Sequence, residues 1–268
     1  MKKLLSVLLV LVMMLSLTFV FSCANDNGDG ENKEPTNPKT DVAQAITKTN
    51  ALDEYKATME MNMDMTMTIL GTEMKMEVPM TSDITVKNAH GEKPEIYTET
   101  EMTVMGETTK SQTYCDGNWQ YTYDGEEGYK EAAEEIGDYV EGLEEAIKNI
   151  PSDLLEGLSF EKVENGYKVT VQIPDDQFAE LYDEIIDSAT ESLGEDMDVT
   201  ISNAVVDVII NNGYIVEYDI EFDMVMEMDM SGMTAQANTH VVANTTIHNP
   251  GQAVIITPME GYQDYPEL

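Results

Sequence analysis

The chain has 268 residues, with 14 basic against 52 acidic side chains, no arginine and a formal net charge of −38. A nucleic-acid partner needs clustered cations to displace phosphate counterions, so that class is excluded, as are arginine forks on phosphate or carboxylate ligands. The acidic balance reads as a solvated surface suited to an extracytoplasmic setting.

Lys2 and Lys3 lead into an apolar run over residues 4–21, and Ser22-Cys23 follows at once. That order of basic, apolar and small residues predicts a signal peptide over residues 1–22. Val20-Phe21-Ser22-Cys23 resembles the lipobox of bacterial lipoproteins. The resemblance implies a diacylglyceryl group on Cys23, which becomes the mature N-terminus and holds the protein at the extracytoplasmic face of the cell membrane. Residues 25–40 are Asn, Asp, Gly, Glu, Lys, Pro and Thr alone. Such a stretch cannot bury enough surface to offset its ordering entropy, so residues 23–40 are expected to form a disordered linker. A single β-rich domain is expected over residues 41–268. With Cys23 acylated, Cys115 stands alone and no internal disulfide forms.

The spacing of Val42, Ala45, Ile46, Leu52 and Tyr55 predicts a helix over 41–56. The period then drops to two. Met59, Met61, Met63, Met65, Met67 and Ile69 alternate with polar residues, which predicts a strand with one dry and one wet face. Gly71 marks a turn, after which Met74, Met76, Val78, Met80, Ile84 and Val86 occupy even positions. Residues 96–114 read as one or two strands broken near Gly106. Asp116-Gly117-Asn118 turns the chain into Trp119, Tyr121 and Tyr123, which share a face.

Ile136, Tyr139, Val140, Leu143, Ile147 and Ile150 recur at helical spacing before Pro151. Strands over 160–163 and 167–173 flank Asn165-Gly166, a hairpin signal. Phe178, Leu181, Tyr182, Ile185 and Ala189 predict a further helix after acidic Asp175-Asp176. Strands over 199–210, 214–230 and 233–248 close the chain as a meander. In the middle one, Tyr214, Val216, Tyr218, Ile220, Phe222, Met224, Met226, Met228 and Met230 read as one continuous apolar face. Amphipathic helices need an apolar surface to cover, and the dry face of the sheet is the candidate.

This order of elements resembles the LolA/LppX-like superfamily of half-barrel proteins, closest in character to its poorly characterised Gram-positive lipoproteins. The resemblance rests on the alternating methionines of 59–67, on Tyr114-Cys115-Asp116-Gly117-Asn118-Trp119-Gln120-Tyr121, and on Asn249-Pro250 through Ile255-Ile256-Thr257-Pro258. It implies an α+β fold in which a strongly curved antiparallel β-sheet wraps around amphipathic helices packed on its concave face. It also implies an apolar cavity able to hold acyl chains or lipidated partners. No catalytic residues travel with it.

The residues give no sign of an enzyme. There is no Gly-x-Ser-x-Gly elbow, His-Glu-x-x-His, phosphate loop or Cys-x-x-Cys. His240 and His248 fall on the wet side of their strand, and His90 sits in a turn beside Gly91. Adjacent acids such as Glu134-Glu135 carry little information among 52. No metal site and no cofactor is expected.

The methionines carry the functional signal, with three readings: plain core, a greasy ligand cavity, or thioethers for Cu(I). The cavity reading gives a membrane-anchored lipoprotein that binds or shields a lipid or acyl chain. Its lining is Met59, Met61, Met63, Met65, Met67, Leu143, Leu181, Met224, Met226 and Met228. The alternatives are an interaction or scaffold lipoprotein whose cavity is filled by its own helices, and a methionine-based copper protein.

Overall fold

The computed structural model of the chain describes residues 37–69, 71–91, 93–133, 158–175, 197–229 and 234–267. Cys23, the apolar run before it and both predicted mid-chain helices, with Leu143 and Leu181, lie outside the described residues.

Helix α1 (Pro38–Asn50) precedes eleven strands: β1 (Glu54–Ile69), β2 (Thr72–Lys87), β3 (Glu95–Val104), β4 (Glu107–Cys115), β5 (Trp119–Tyr123), β6 (Gly128–Ala132), β7 (Glu161–Val163), β8 (Gly166–Gln172), β9 (Met197–Asn211), β10 (Tyr214–Asp229) and β11 (Thr234–His248). They form one antiparallel sheet in the order β6-β5-β4-β3-β2-β1-β11-β10-β9-β8-β7. Each wing is a plain meander, and the long-range pairing of β1 with β11 joins the two wings at the centre. The end strands β6 and β7 do not pair, so the sheet is open.

Eleven strands at about 4.8 Å spacing would make a flat sheet roughly 50 Å wide, whose faces water would reach. Instead, residues of β1, β2, β8, β9, β10 and β11 share one buried apolar cluster, with Ile96, Met102 and Val104 of β3 packed against it. The sheet is therefore curled around its inner face. Two bulges add to the strand twist, because an extra unpaired residue bends a strand. Val216 is skipped between the pairs Ile215–Ile210 and Glu217–Ile209, and the register shifts back between Glu221–Val205 and Asp223–Ser202, around Asn203. Asn203 takes φ 58°, a left-handed conformation that asparagine tolerates better than most residues.

Alternation held where it was strict. Odd positions of β1 from Tyr55 to Met67 are buried, and the apolar even positions of β2 face the same side. Three expectations need correction. The first helix ends at Asn50, because the two-residue alternation reaches back through buried Ala57 and Tyr55 and takes those residues into β1. The apolar face of β10 is not continuous: the bulge at Val216 turns Ile215 inward, buried, in place of Tyr214 and Val216. Gly166 opens β8 and pairs with Val163, so the hairpin loop is Glu164-Asn165. In addition, β6 arises from a segment with no strong alternation.

Helix α1 packs on the β9–β10 end of the sheet. The Thr49 hydroxyl accepts from the backbone N–H of Ile215 at 2.8 Å, satisfying a donor next to the bulge. Lys48 donates to the carbonyl of Asn212 at 2.9 Å and lies 4.0 Å from the centre of the Tyr214 ring.

On the outer face, Tyr114 and Tyr121 form a second cluster with Met259, joined by Tyr97, Trp119, Ile256, Tyr262 and Tyr265. The C-terminal segment closes over this cluster. Tyr262 meets Tyr114 and Tyr121 edge-on at 5.1 and 4.7 Å. The N–H of Lys130 in edge strand β6 donates to Pro266 at 2.8 Å. Short edges and a covering tail restrain pairing with other chains.

Candidate functional site

Strand β11 runs along the middle of the inner face, flanked by β1 and β10. Its inward residues are mostly short: Ala237, Thr239, Val241, Ala243 and Thr245. Register sets each between longer neighbours. Met67, Ala237 and Met226 form one row, then Met65, Thr239 and Met224, then Met63, Val241 and Phe222, and finally Met59, Thr245 and Tyr218. In register, long side chains stand on both sides of short ones along β11, a trough-like pattern with methionine-rich walls and a floor of alanine, threonine and valine. All these residues are buried, Met63 at 0% exposure.

The inward register positions of β1, β2 and β8 to β11 carry no charged residue. They do carry hydroxyls. Thr239 Oγ1 and Thr245 Oγ1 are buried without a hydrogen-bond partner. Each such group costs about 1–3 kcal/mol of desolvation, which valine of the same shape would not. The interior also changes character along the strands. Toward α1, Thr245 shares its row with Tyr218, and the hydroxyls of Ser82 and Thr100 pair at 2.9 Å. Burial, then neighbouring Tyr218, pushes the Tyr55 hydroxyl well above its ordinary pKa. The Asn50 side chain at the end of α1 is buried with both its amide atoms unpaired. Toward the Gly71 hairpin, Thr239 stands between Met65 and Met224 in register, with Met67 and Met226 in the next row and Met74 and Met76 one strand further out in β2.

The structure thus brings Met59, Met61, Met63, Met65, Met67, Met224 and Met226 into one cluster. Met228 takes its place in β10, opposite Ala235 and Met197. Met230 lies outside the described residues. Thr239 and Thr245 were not among the expected lining. Their signal was nonetheless present, as the two breaks in the odd-position series Ala235, Ala237, Val241, Ala243, Ile247.

Cross-strand methionine pairs exist at Met61–Met80, Met65–Met76 and Met67–Met74. The face nevertheless continues through Val78, Val241, Phe222 and Ile220, so apolar character is unbroken where sulfur is not. Among the described residues, no group of three His, Cys, Asp or Glu could hold a metal ion.

The histidines face outward. His240 Nδ1 lies 2.9 Å from Asp223. The Asn203 amide and then His240 hold the Asp223 carboxyl below its ordinary pKa. The Thr58 hydroxyl donates to Asp83 at 2.7 Å, and His248 Nε2 lies 2.8 Å from the same hydroxyl. The Cys115 thiol is buried, which raises its pKa and leaves it unreactive. Trp119 and Tyr121 belong to the outer aromatic cluster, packed with Tyr262 and Tyr265.

An open antiparallel sheet curled around an apolar interior is a half-barrel. LprF from Mycobacterium bovis is similar over 82% of this chain and 95% of its own, at 13% identity and a TM-score of 0.41. A DUF1329 family protein from Desulfovibrio piger is similar over 83% of this chain and 96% of its own, at 9% identity and a TM-score of 0.25. A LolA superfamily protein from Nitrosomonas europaea is similar over 76% and 92%, at 8% identity and a TM-score of 0.18. No family model and no curated protein matches the chain.

Proposed function

We propose that the protein is a non-catalytic lipoprotein, held at the extracytoplasmic face of a bacterial cell membrane through acylated Cys23, that binds or shields a lipid or other apolar ligand in the trough along β11. Residues 23–36 and the start of α1 act as the tether. The observation that supports the binding role is the pairing of methionine walls with a floor of small residues. A plain core is specified best by side chains with few rotamers, whereas methionine's unbranched thioether adapts to flexible chains. Because the walls are closed to water, an acyl chain enters by displacing them, with Leu143 and Leu181 proposed as part of the cover.

The test is uptake of a fluorescent diacylglycerol by the full chain after exchange out of a dialysable detergent. Saturable binding at about micromolar affinity or better is expected. A cooperatively folding protein that takes up no probe is a scaffold with a self-filled interior. Stoichiometric Cu(I) binding, lost in a Met→Leu series of unchanged stability, moves the function to copper.

A further inference from the structure

We infer that Thr239 and Thr245 are hydrogen-bond donors to uncharged carbonyl groups of the ligand, so that the trough selects neutral ester-bearing or amide-bearing lipids over carboxylate anions and over bare hydrocarbon. This rests on the proposed binding role of the trough and adds the chemistry it selects.

Both side chains stand on the inner face of β11, 3% and 2% exposed, and neither hydroxyl has a partner among the described residues. Valine, present as Val241 on the same strand face between them, would fill the same shape without an unpaired hydroxyl. A hydroxyl in an apolar setting gains most from an acceptor that enters without needing its own counter-charge. Ester and amide carbonyls meet that requirement. A carboxylate or phosphate does not, because the inward positions of β1, β2 and β8 to β11 hold no cation, the chain holds no arginine, and its net charge of −38 repels anions.

The two hydroxyls are six residues apart on one strand, a span of about 20 Å. One donor lies among Met65 and Met224, the other beside Met59 and Tyr218. An occupant with carbonyls at two depths along an extended chain would satisfy both, and one with a single carbonyl would satisfy either.

The experiment compares three pyrene probes of equal chain length, a methyl ester, the free acid and an alkane, on the full chain at pH 7 and on Thr239→Val/Thr245→Val. The wild type is expected to bind the ester about tenfold or more tightly than the acid or the alkane. The double variant should lose that preference, keep its alkane affinity and melt no lower than the wild type. Equal binding of ester and alkane by the wild type, or an ester preference that survives in the variant, overturns this inference and leaves the binding role standing. A wild type that binds none of the three overturns both. A single Thr239→Ser change, which keeps the hydroxyl, should retain the preference at that site, and its loss there would also contradict the assignment.

Discussion

At Met63 and Asp64 two adjacent residues sit in opposite environments, one at 0% exposure in the trough wall and the next exposed on the wet face. Met63→Glu would bury a carboxylate with no cation on the inner faces of the neighbouring strands. It should destabilise by about 3 kcal/mol or more and abolish lipid uptake. Asp64→Ala should stay within about 0.5 kcal/mol and bind normally. Thermal melts with the uptake assay read both, and equal effects would mean the two faces are wrongly assigned. This alternation was fully legible in the sequence, because strict two-residue spacing admits no other element. Thr239 and Thr245 were passed over because a threonine within an apolar series reads as a tolerated β-branched residue, and its missing partner shows only when the face is assembled.

Asp223 gives a second prediction at this scale. Its folded pKa lies below the ordinary value, held there first by the Asn203 amide and then by His240. Its contribution to stability is therefore complete above the unfolded pKa of about 4 and is lost as pH falls through the lowered folded value. The carboxyl is 44% exposed, so solvent screens the effect on stability, and its titration is the better readout. Asn203→Gly keeps the left-handed backbone and removes the amide. The Asp223 titration followed by NMR should then move up in pH, and an unchanged midpoint would contradict the amide's role.

Among the elements, the hairpins show how far local rules reach. Asn212-Gly213, with φ of 56° and 74°, is the left-handed pair that a two-residue turn between twisted strands requires. Asn165-Gly166 carries the same signal but places its loop one residue earlier, because Gly166 is needed inside β8. There a Cβ would stand 2.3 Å from the carbonyl oxygen of Ile210 in β9. That oxygen belongs to a neighbouring strand and cannot yield cheaply. Gly166→Ala should cost about 2–4 kcal/mol, whereas Gly71→Ala, with nothing within 4 Å of its Cβ, should cost about 1 kcal/mol from backbone strain alone. Similar denaturation midpoints for the two variants would show that the close approach is relieved at no cost. The bulge at Val216 could not be foreseen, since Tyr214, Val216 and Tyr218 keep perfect alternation in the sequence. What selects Ile215 is the neighbouring strand and the Thr49 hydroxyl that takes its N–H. The helix boundary failed for a related reason: Tyr55 suits a helical stripe and a strand face equally, and its neighbours in β2 decide.

The whole molecule depends on β1 meeting β11, a pairing across the length of the domain that no local pattern announces. Without it the two meanders would be separate open sheets. With it, the methionines of β1 and β10 face each other across the short residues of β11, so the trough exists only at this scale. The anchor proposed for Cys23 sets where the molecule works. Cys23→Ala should leave the protein without its acyl chains and shift it from the membrane to the soluble fraction, and full retention in washed membranes would mean that residues 4–21 remain as an anchor. In this proposal the trough holds a ligand. Its most direct test is native mass spectrometry of the full chain purified from its producing cells and released gently from detergent. A mass excess matching one bound neutral lipid is expected, removed by organic extraction and absent from Met63→Glu. A spectrum of the folded wild type at the bare protein mass, unchanged after incubation with neutral lipid, would contradict it.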